Sequence, residues 1–300
     1  MCERAAVVVM AEVERPTEVF ELSRGPVEYR LESRGPQVVL MLHGGHMRAS
    51  LPLGEEVFAD AGCTILAPSR PGYGRTSLTA GARPEDCADM VAELCGRLGI
   101  ERLAAVVGQS AGGPTAVMLA SRHPALVERL VLQSAVGFLP WPDLRTRIGG
   151  RCVFAARTER ATWALIHALV RRAPDRALRL LLRDLTVRPV KPVIAALPAQ
   201  HRRLLLELFA RMRSGAGFAA DLRAMAGGTG QVPPVSGPTL VIAAPDDGAV
   251  PFAHARALVA AIPGAQLIVS QAPSHFIWLG EDYSAVADGI TDFLAGASAS

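Results

Sequence analysis

Three kinds of side chain in this 300-residue chain could together form a nucleophilic relay. Ser110 sits in Gly108-Gln109-Ser110-Ala111-Gly112, a Gly-x-Ser-x-Gly pattern. Two adjacent carboxylates, Asp246 and Asp247, come later, and His275 follows them. A serine hydroxyl attacks poorly until a neutral imidazole takes its proton, and the imidazole needs a buried carboxylate to fix its tautomer and balance its charge. The two glycines have a mechanical reason. A serine forced into a tight strand-to-helix turn brings neighbouring backbone so close that a Cβ at either flanking position would clash. The same turn aims the amide of Ala111 and the helix N-terminus at negative charge forming beside Ser110. A second loop, His43-Gly44-Gly45-His46, leaves its backbone amides uncovered, and Gly45, to within one residue, is the second expected donor.

These groups can meet only if the chain carries them to one rim, and the apolar patterning does so. Residues 17–42 read as three strands with Gly25-Pro26 and Gly35-Pro36 in the turns; the first two alternate and should be half exposed, whereas the third is continuously apolar and should be central. Further buried strands are expected at 62–67, 102–107, 129–133, 239–244 and 265–269. Helices are expected at 84–98, from Pro114 onward, at 251–262 and at 281–295. Strands alternating with helices predict an α/β fold with a mostly parallel central sheet and an antiparallel edge. The loops holding His43 to His46, Ser110, the Asp246-Asp247 pair and His275 all follow carboxyl ends of predicted strands, where such sheets bind ligands. His123 reads as a helix-end residue, and the Gly- and Pro-punctuated loop holding Arg70 and Tyr73 reads as a rigid turn, with substrate contact by Arg70 or Tyr73 as the alternative.

Composition narrows the remaining classes. Half the residues are apolar, enough for a full core. No run approaches the eighteen apolar residues of a membrane-spanning helix. Residues 5–11 imitate a secretory leader, but Glu12, Glu14 and Arg15 follow at once, so the expected location is cytoplasmic. The cysteines, Cys2, Cys63, Cys87, Cys95 and Cys152, are odd in number and form no Cys-x-x-Cys pair, which predicts free thiols rather than disulfides or a zinc site.

His43-Gly44-Gly45, Arg70-Pro71-Gly72-Tyr73-Gly74, Gly108 to Gly112, Asp247-Gly248-Ala249-Val250-Pro251 and Ser274-His275-Phe276 together resemble the α/β-hydrolase family, over nearly the whole chain outside residues 138–230. The resemblance implies the α/β-hydrolase fold and the chain order Ser, Asp, His. It favours Asp247 as the acid, four residues before Pro251, with Asp246 as the alternative. Some relatives take the acid from the end of the preceding strand, where this chain has Ser134-Ala135-Val136-Gly137, and Asp143 lies too far on to prefer. The implied chemistry is acyl transfer through Ser110, with His275 as base, the Gly45 and Ala111 amides as oxyanion hole, and neither metal nor organic cofactor. Serine at position 110 departs from haloalkane dehalogenases and epoxide hydrolases, which carry aspartate there. His46 and Ala111 depart from the prolyl iminopeptidase pattern. The implied substrate is a small or medium carboxylic ester. Carbon–carbon bond hydrolases and cofactor-free perhydrolases share the triad, and a low-turnover ligand-binding protein on this scaffold is the alternative from another class.

The sheet pattern stops after position 137. Residues 138–230 read as a helical cap inserted into a core made of residues 1–137 and 231–300. The insertion holds sixteen Arg and one Lys against six acidic residues. Such an excess predicts either a solvated helix surface or steering of an anionic substrate, an acidic partner or an anionic lipid surface toward the mouth; there is no aromatic interleaving to suggest nucleic acid. His46, Phe138, Trp141, Trp163 and Phe276 are the candidates to line the substrate pocket, with Ile166, Leu169, Phe209 and Phe218 as further cap residues whose facing periodicity does not settle.

Overall fold

The structure, a computed structural model, describes residues 14–142, 149–150, 153–155, 157–228 and 231–296. Asp143, Cys2, Cys152 and the apolar stretch 5–11 lie outside the described residues. Eight strands form one sheet: β1 (Glu18–Leu22), β2 (Gly25–Glu32), β3 (Val38–Leu42), β4 (Thr64–Pro68), β5 (Ala105–Gln109), β6 (Leu130–Gln133), β7 (Thr239–Ala243) and β8 (Gln266–Val269). Their spatial order is β1-β2-β4-β3-β5-β6-β7-β8, with β1 and β2 antiparallel to their neighbours and every other pair parallel.

The continuous apolar runs follow from helices on both faces. In β3, Leu40 and Leu42 join one core cluster while Val39 and Met41 join the other, and in β5 Val106 and Val107 divide the same way. The first face is covered by α2 (Pro84–Arg97), α3 (Gly113–Arg122) and α9 (Ala253–Ala261), the second by α1 (Glu56–Asp60) and α10 (Tyr283–Ala295). Each fully buried Leu or Val here contributes roughly 1.5–3 kcal/mol. β2 is more buried than its alternation suggests, because it lies between β1 and β4 rather than at the edge. Its Glu28 and Arg30 are buried and paired: Glu28 accepts from Ser69 Oγ at 2.7 Å, and Arg30 donates to Glu55 at 2.7 Å.

Between β6 and β7 lies the cap, with α4 (Glu159–Arg172), α5 (Pro174–Arg183), α6 (Val190–Ala196), α7 (Ala199–Phe209) and α8 (Gly217–Ala224). Its apolar interior is shared with the core: Trp163, Leu178, Leu182, Leu205 and Phe209 pack in one cluster with Leu51, Phe276 and Leu279. Arg171, Arg172, Arg176, Arg179 and Arg183 stand exposed. Cys63, Cys87 and Cys95 are buried free thiols, and burial pushes Cys87 and Cys95 up to about 12, which keeps them protonated and unreactive. Among the described residues no helix is long and apolar enough to cross a membrane, and no His, Cys, Asp and Glu cluster could hold a metal ion.

Candidate active site

β5 ends at Gln109, α3 begins at Gly113, and Ser110 between them has φ 48°, a left-handed conformation costing a non-glycine residue roughly 1–2 kcal/mol. The flanking glycines make the turn possible. A Cβ on Gly108 would come within 2.6 Å of the Ala116 Cβ, and one on Gly112 would run into the carbonyls of Leu42 and His43. Gly44 crosses immediately above, so close that a Cβ there would stand 2.9 Å from that of Ser110.

Two peptide planes beside Ser110 are held in a defined sense. His43 is fully buried, and its Nε2 accepts the backbone N–H of Arg70 at 2.9 Å. Its proton is therefore on Nδ1, which donates to the Gly44 carbonyl at 2.7 Å. In a trans peptide the C=O and N–H point in opposite directions, so tying back the Gly44 carbonyl turns the Gly45 N–H the other way. Burial, reinforced by the charge of Arg70, holds His43 well below its usual pKa and so keeps it neutral. The Ser110 carbonyl is tied back in the same manner by the Val136 N–H at 2.8 Å, which turns out the amide of Ala111.

The acid and the imidazole arrive from the far loops. Asp247 is buried; its Oδ2 lies 2.7 Å from His275 Nδ1, and its Oδ1 accepts the N–H groups of Ala249 at 2.8 Å and Val250 at 2.9 Å. Asp246 instead pairs with Arg188 at 2.5 Å, which leaves Asp247 as the carboxylate on His275. Among the described residues no hydrogen bond joins Ser110 Oγ to His275, a contact that often tightens only in the substrate complex.

Two supports of this constellation carry no signal in the sequence. Ser134, at the end of β6 with φ 44°, donates its Oγ to the His275 carbonyl at 3.0 Å. A cap segment after α5 lies along the loops that hold Asp247 and His275. The Leu185 carbonyl accepts the N–H of His275 at 2.8 Å and of Gly248 at 3.2 Å, Thr186 forms a bridge with Asp247, and Thr186 Oγ1 donates to the Pro273 carbonyl at 2.6 Å.

The fold of this chain is matched among known proteins. A family model described as alpha/beta hydrolase fold matches residues 37–149. An uncharacterized hydrolase of Bacillus subtilis, YcgS, is 30% identical over 285 residues, which is 94% of this chain and 99% of the relative. The chain belongs to the α/β-hydrolase fold family. A 2-hydroxy-6-oxononadienedioate/2-hydroxy-6-oxononatrienedioate hydrolase of Pseudomonas sp is 24% identical over 260 residues, 84% of this chain and 86% of that one. The solved structure of an alpha/beta hydrolase fold protein from Nakamurella multipartita superposes with a TM-score of 0.77 at 24% identity, covering 94% of this chain and all of that one.

Within this α/β-hydrolase the expected pocket residues divide. His46 and Trp163 do meet beside the Gly45 loop, with ring centroids 5.3 Å apart, and Phe218 lies against Gly45 itself. Phe138 packs in the main core with Val241, Ala255 and Leu258, because the chain stays on the core for several residues past β6. Trp141 packs beside Ala111 and Val136, but its Nε1–H is committed to the Ala249 carbonyl at 2.8 Å, so it braces the acid loop. Phe276 fills the seam with the cap, 4.9 Å from Trp278 and 6.5 Å from Phe209. Arg70 and Tyr73 are structural, as a rigid turn would have them. Arg70 donates to both oxygens of Asp221 in α8 at 2.8 and 2.7 Å and to the His43 carbonyl at 2.8 Å, while Tyr73 OH meets Asp221 at 2.5 Å. His123 ends α3, 2.9 Å from Asp89.

Proposed function

We propose that this α/β-hydrolase cleaves a small or medium carboxylic ester through an acyl-enzyme on Ser110. His275 Nε2 takes the Ser110 proton as Oγ attacks the ester carbonyl, and Asp247 holds the Nδ1–H and balances the imidazolium. The developing oxyanion receives the N–H groups of Gly45 and Ala111, each worth about 3 kcal/mol in acyl-transfer sites. His275 then returns the proton to the leaving alcohol, and the same imidazole activates the water that releases the acid.

The observation that carries this reading is the pair of tied-back carbonyls, Gly44 to His43 and Ser110 to Val136, which turns the Gly45 and Ala111 amides the other way beside one strained hydroxyl. A protein that only bound a ligand would have no use for amides turned toward a nucleophile. The test is hydrolysis of p-nitrophenyl esters from acetate to octanoate. Ser110→Ala is expected to lower kcat/KM by about 10⁴-fold or more; a variant retaining activity within tenfold of wild type would contradict the reading.

A second reading has the names of relatives in its favour. Carbon–carbon bond hydrolysis is the alternative reaction for this triad, and matching relatives are named as hydrolases of 2-hydroxy-6-oxononadienedioate or 2-hydroxy-6-oxononatrienedioate. The same relay serves, with a carbanion as leaving group. Turnover of such a dienedioate faster than of every ester in the series would favour it.

A further inference from the structure

His46 follows the proposed oxyanion donor Gly45 and is not glycine, yet it has φ 65°. Such a backbone in a histidine persists only where its surroundings hold it, and here they do. Its carbonyl accepts the Arg213 N–H at 3.1 Å, and its ring is packed on several sides. The ring stands between Phe218, Phe154 and Trp163, at centroid distances of 4.0, 4.7 and 5.3 Å.

The hydrogen bonding around the ring fixes which nitrogen bears the proton. His46 Nδ1 lies 2.7 Å from Ser214 Oγ. Ser214 is fully buried, and its Oγ already accepts the Trp163 Nε1–H at 2.8 Å. An indole N–H can only donate. Among the described residues the Ser214 hydroxyl proton therefore has one acceptor in reach, His46 Nδ1, and the imidazole proton sits on Nε2. The Ser214 backbone is pinned in turn, its N–H donating to the buried carboxylate of Glu159 at 3.1 Å. Burial lowers His46 to about 3, so the ring is neutral at ordinary pH. Its Nε2–H has no partner among the described residues.

We propose that His46 presents its Nε2–H to the substrate, and that the acyl part of that substrate carries an uncharged hydrogen-bond acceptor, an ether or carbonyl oxygen, close to the scissile carbonyl. The inference rests on the ester reading and adds a substrate class to it. Consecutive Cα atoms are about 3.8 Å apart, so the ring begins one residue from the amide that receives the oxyanion. A donor walled by aromatic rings disfavours an all-carbon chain, because the N–H is then left without an acceptor. A charged carboxylate is a poorer match, since a neutral imidazole in an aromatic cage offers it no counter-charge.

The experiment compares p-nitrophenyl methoxyacetate with p-nitrophenyl butyrate, which differ by one oxygen for one methylene. Intrinsic reactivity cancels when the ratio of their kcat/KM values is compared between proteins. His46→Phe is expected to lower that ratio about tenfold relative to wild type, and His46→Gln, which keeps a donor, to recover part of it. An unchanged ratio in His46→Phe would overturn the proposal. Side-chain ¹⁵N spectra of wild type supply a readout that needs no turnover: a neutral ring protonated at Nε2 from pH 7 to 5 is expected, and an Nδ1–H ring would overturn the assignment. Wild type inert to both esters and unlabelled by a fluorophosphonate would overturn the ester reading itself, and the substrate class with it.

Discussion

Ser110, Ser134 and His46 have φ of 48°, 44° and 65° without being glycine, and all three serve the same site. One carries the hydroxyl, one holds the His275 carbonyl, and one follows Gly45. Of these, Ser110 was legible because its glycine neighbours have a steric cause that shows as spacing. Asp247 was legible through the Asp-x-x-Val-Pro pattern, and the structure brings it to His275 while Asp246 turns to Arg188. Ser134 appeared in the sequence only as a position lacking a carboxylate. Its hydrogen bond joins the end of one strand to a loop far along the chain, and no local pattern encodes that. At this scale we expect Asp247→Asn to keep the fold and to lower kcat on the order of 10⁴-fold, because an amide favours the wrong imidazole tautomer. Steady-state kinetics beside a near-ultraviolet circular dichroism spectrum checks this; a loss below tenfold would remove Asp247 from the relay.

The strands of the core, and its helices apart from α1, were readable to within two or three residues. Helices on both faces of the sheet demand continuous apolar strands, and periodicity reports that demand directly. The cap segment from Leu185 to Arg188 was not readable, since it works through backbone groups. The Leu185 carbonyl bonds the His275 and Gly248 amides, and the Val187 N–H bonds the Asp246 carbonyl at 3.1 Å. The cap therefore braces the two loops that hold Asp247 and His275. Thr186→Val removes the bond to the Pro273 carbonyl and the acceptor for the Arg188 N–H at 3.0 Å. It is expected to lower kcat about tenfold with a smaller change in KM, and Thr186→Ser should restore it. If both variants match wild type, the cap contributes nothing to the placement of His275.

For the molecule as a whole, buried titratable groups make folding depend on pH. Burial holds His43, His46 and His254 below the usual histidine value of 6.5. Their unfolded counterparts take up protons as pH falls through that value, so the stability gained by keeping them neutral is complete above it and drains below it. Glu28 and Glu32 sit below the usual carboxylate value of 4.5. Burial alone would raise both, but Ser69 and Arg75 at Glu28 and Arg30 at Glu32 outweigh it, and that stability is lost as pH falls below 4.5. The melting temperature should therefore decline from pH 7 to 5 and more steeply below 4.5; a flat profile from 7 to 5 would show that the three imidazoles are not held neutral. The cap was legible as a break in the sheet pattern, whereas the residues that face the cleft were not, because that depends on partners such as Asp221 and Ser214 meeting Arg70 and His46 across the seam. In the proposed reaction Ser110 is a nucleophile activated by His275. Intact-mass measurement after fluorophosphonate treatment of wild type, Ser110→Ala and His275→Ala tests it most directly. One adduct on wild type, absent from Ser110→Ala and strongly slowed in His275→Ala, is the predicted result, and folded wild-type protein that gains no adduct would contradict it.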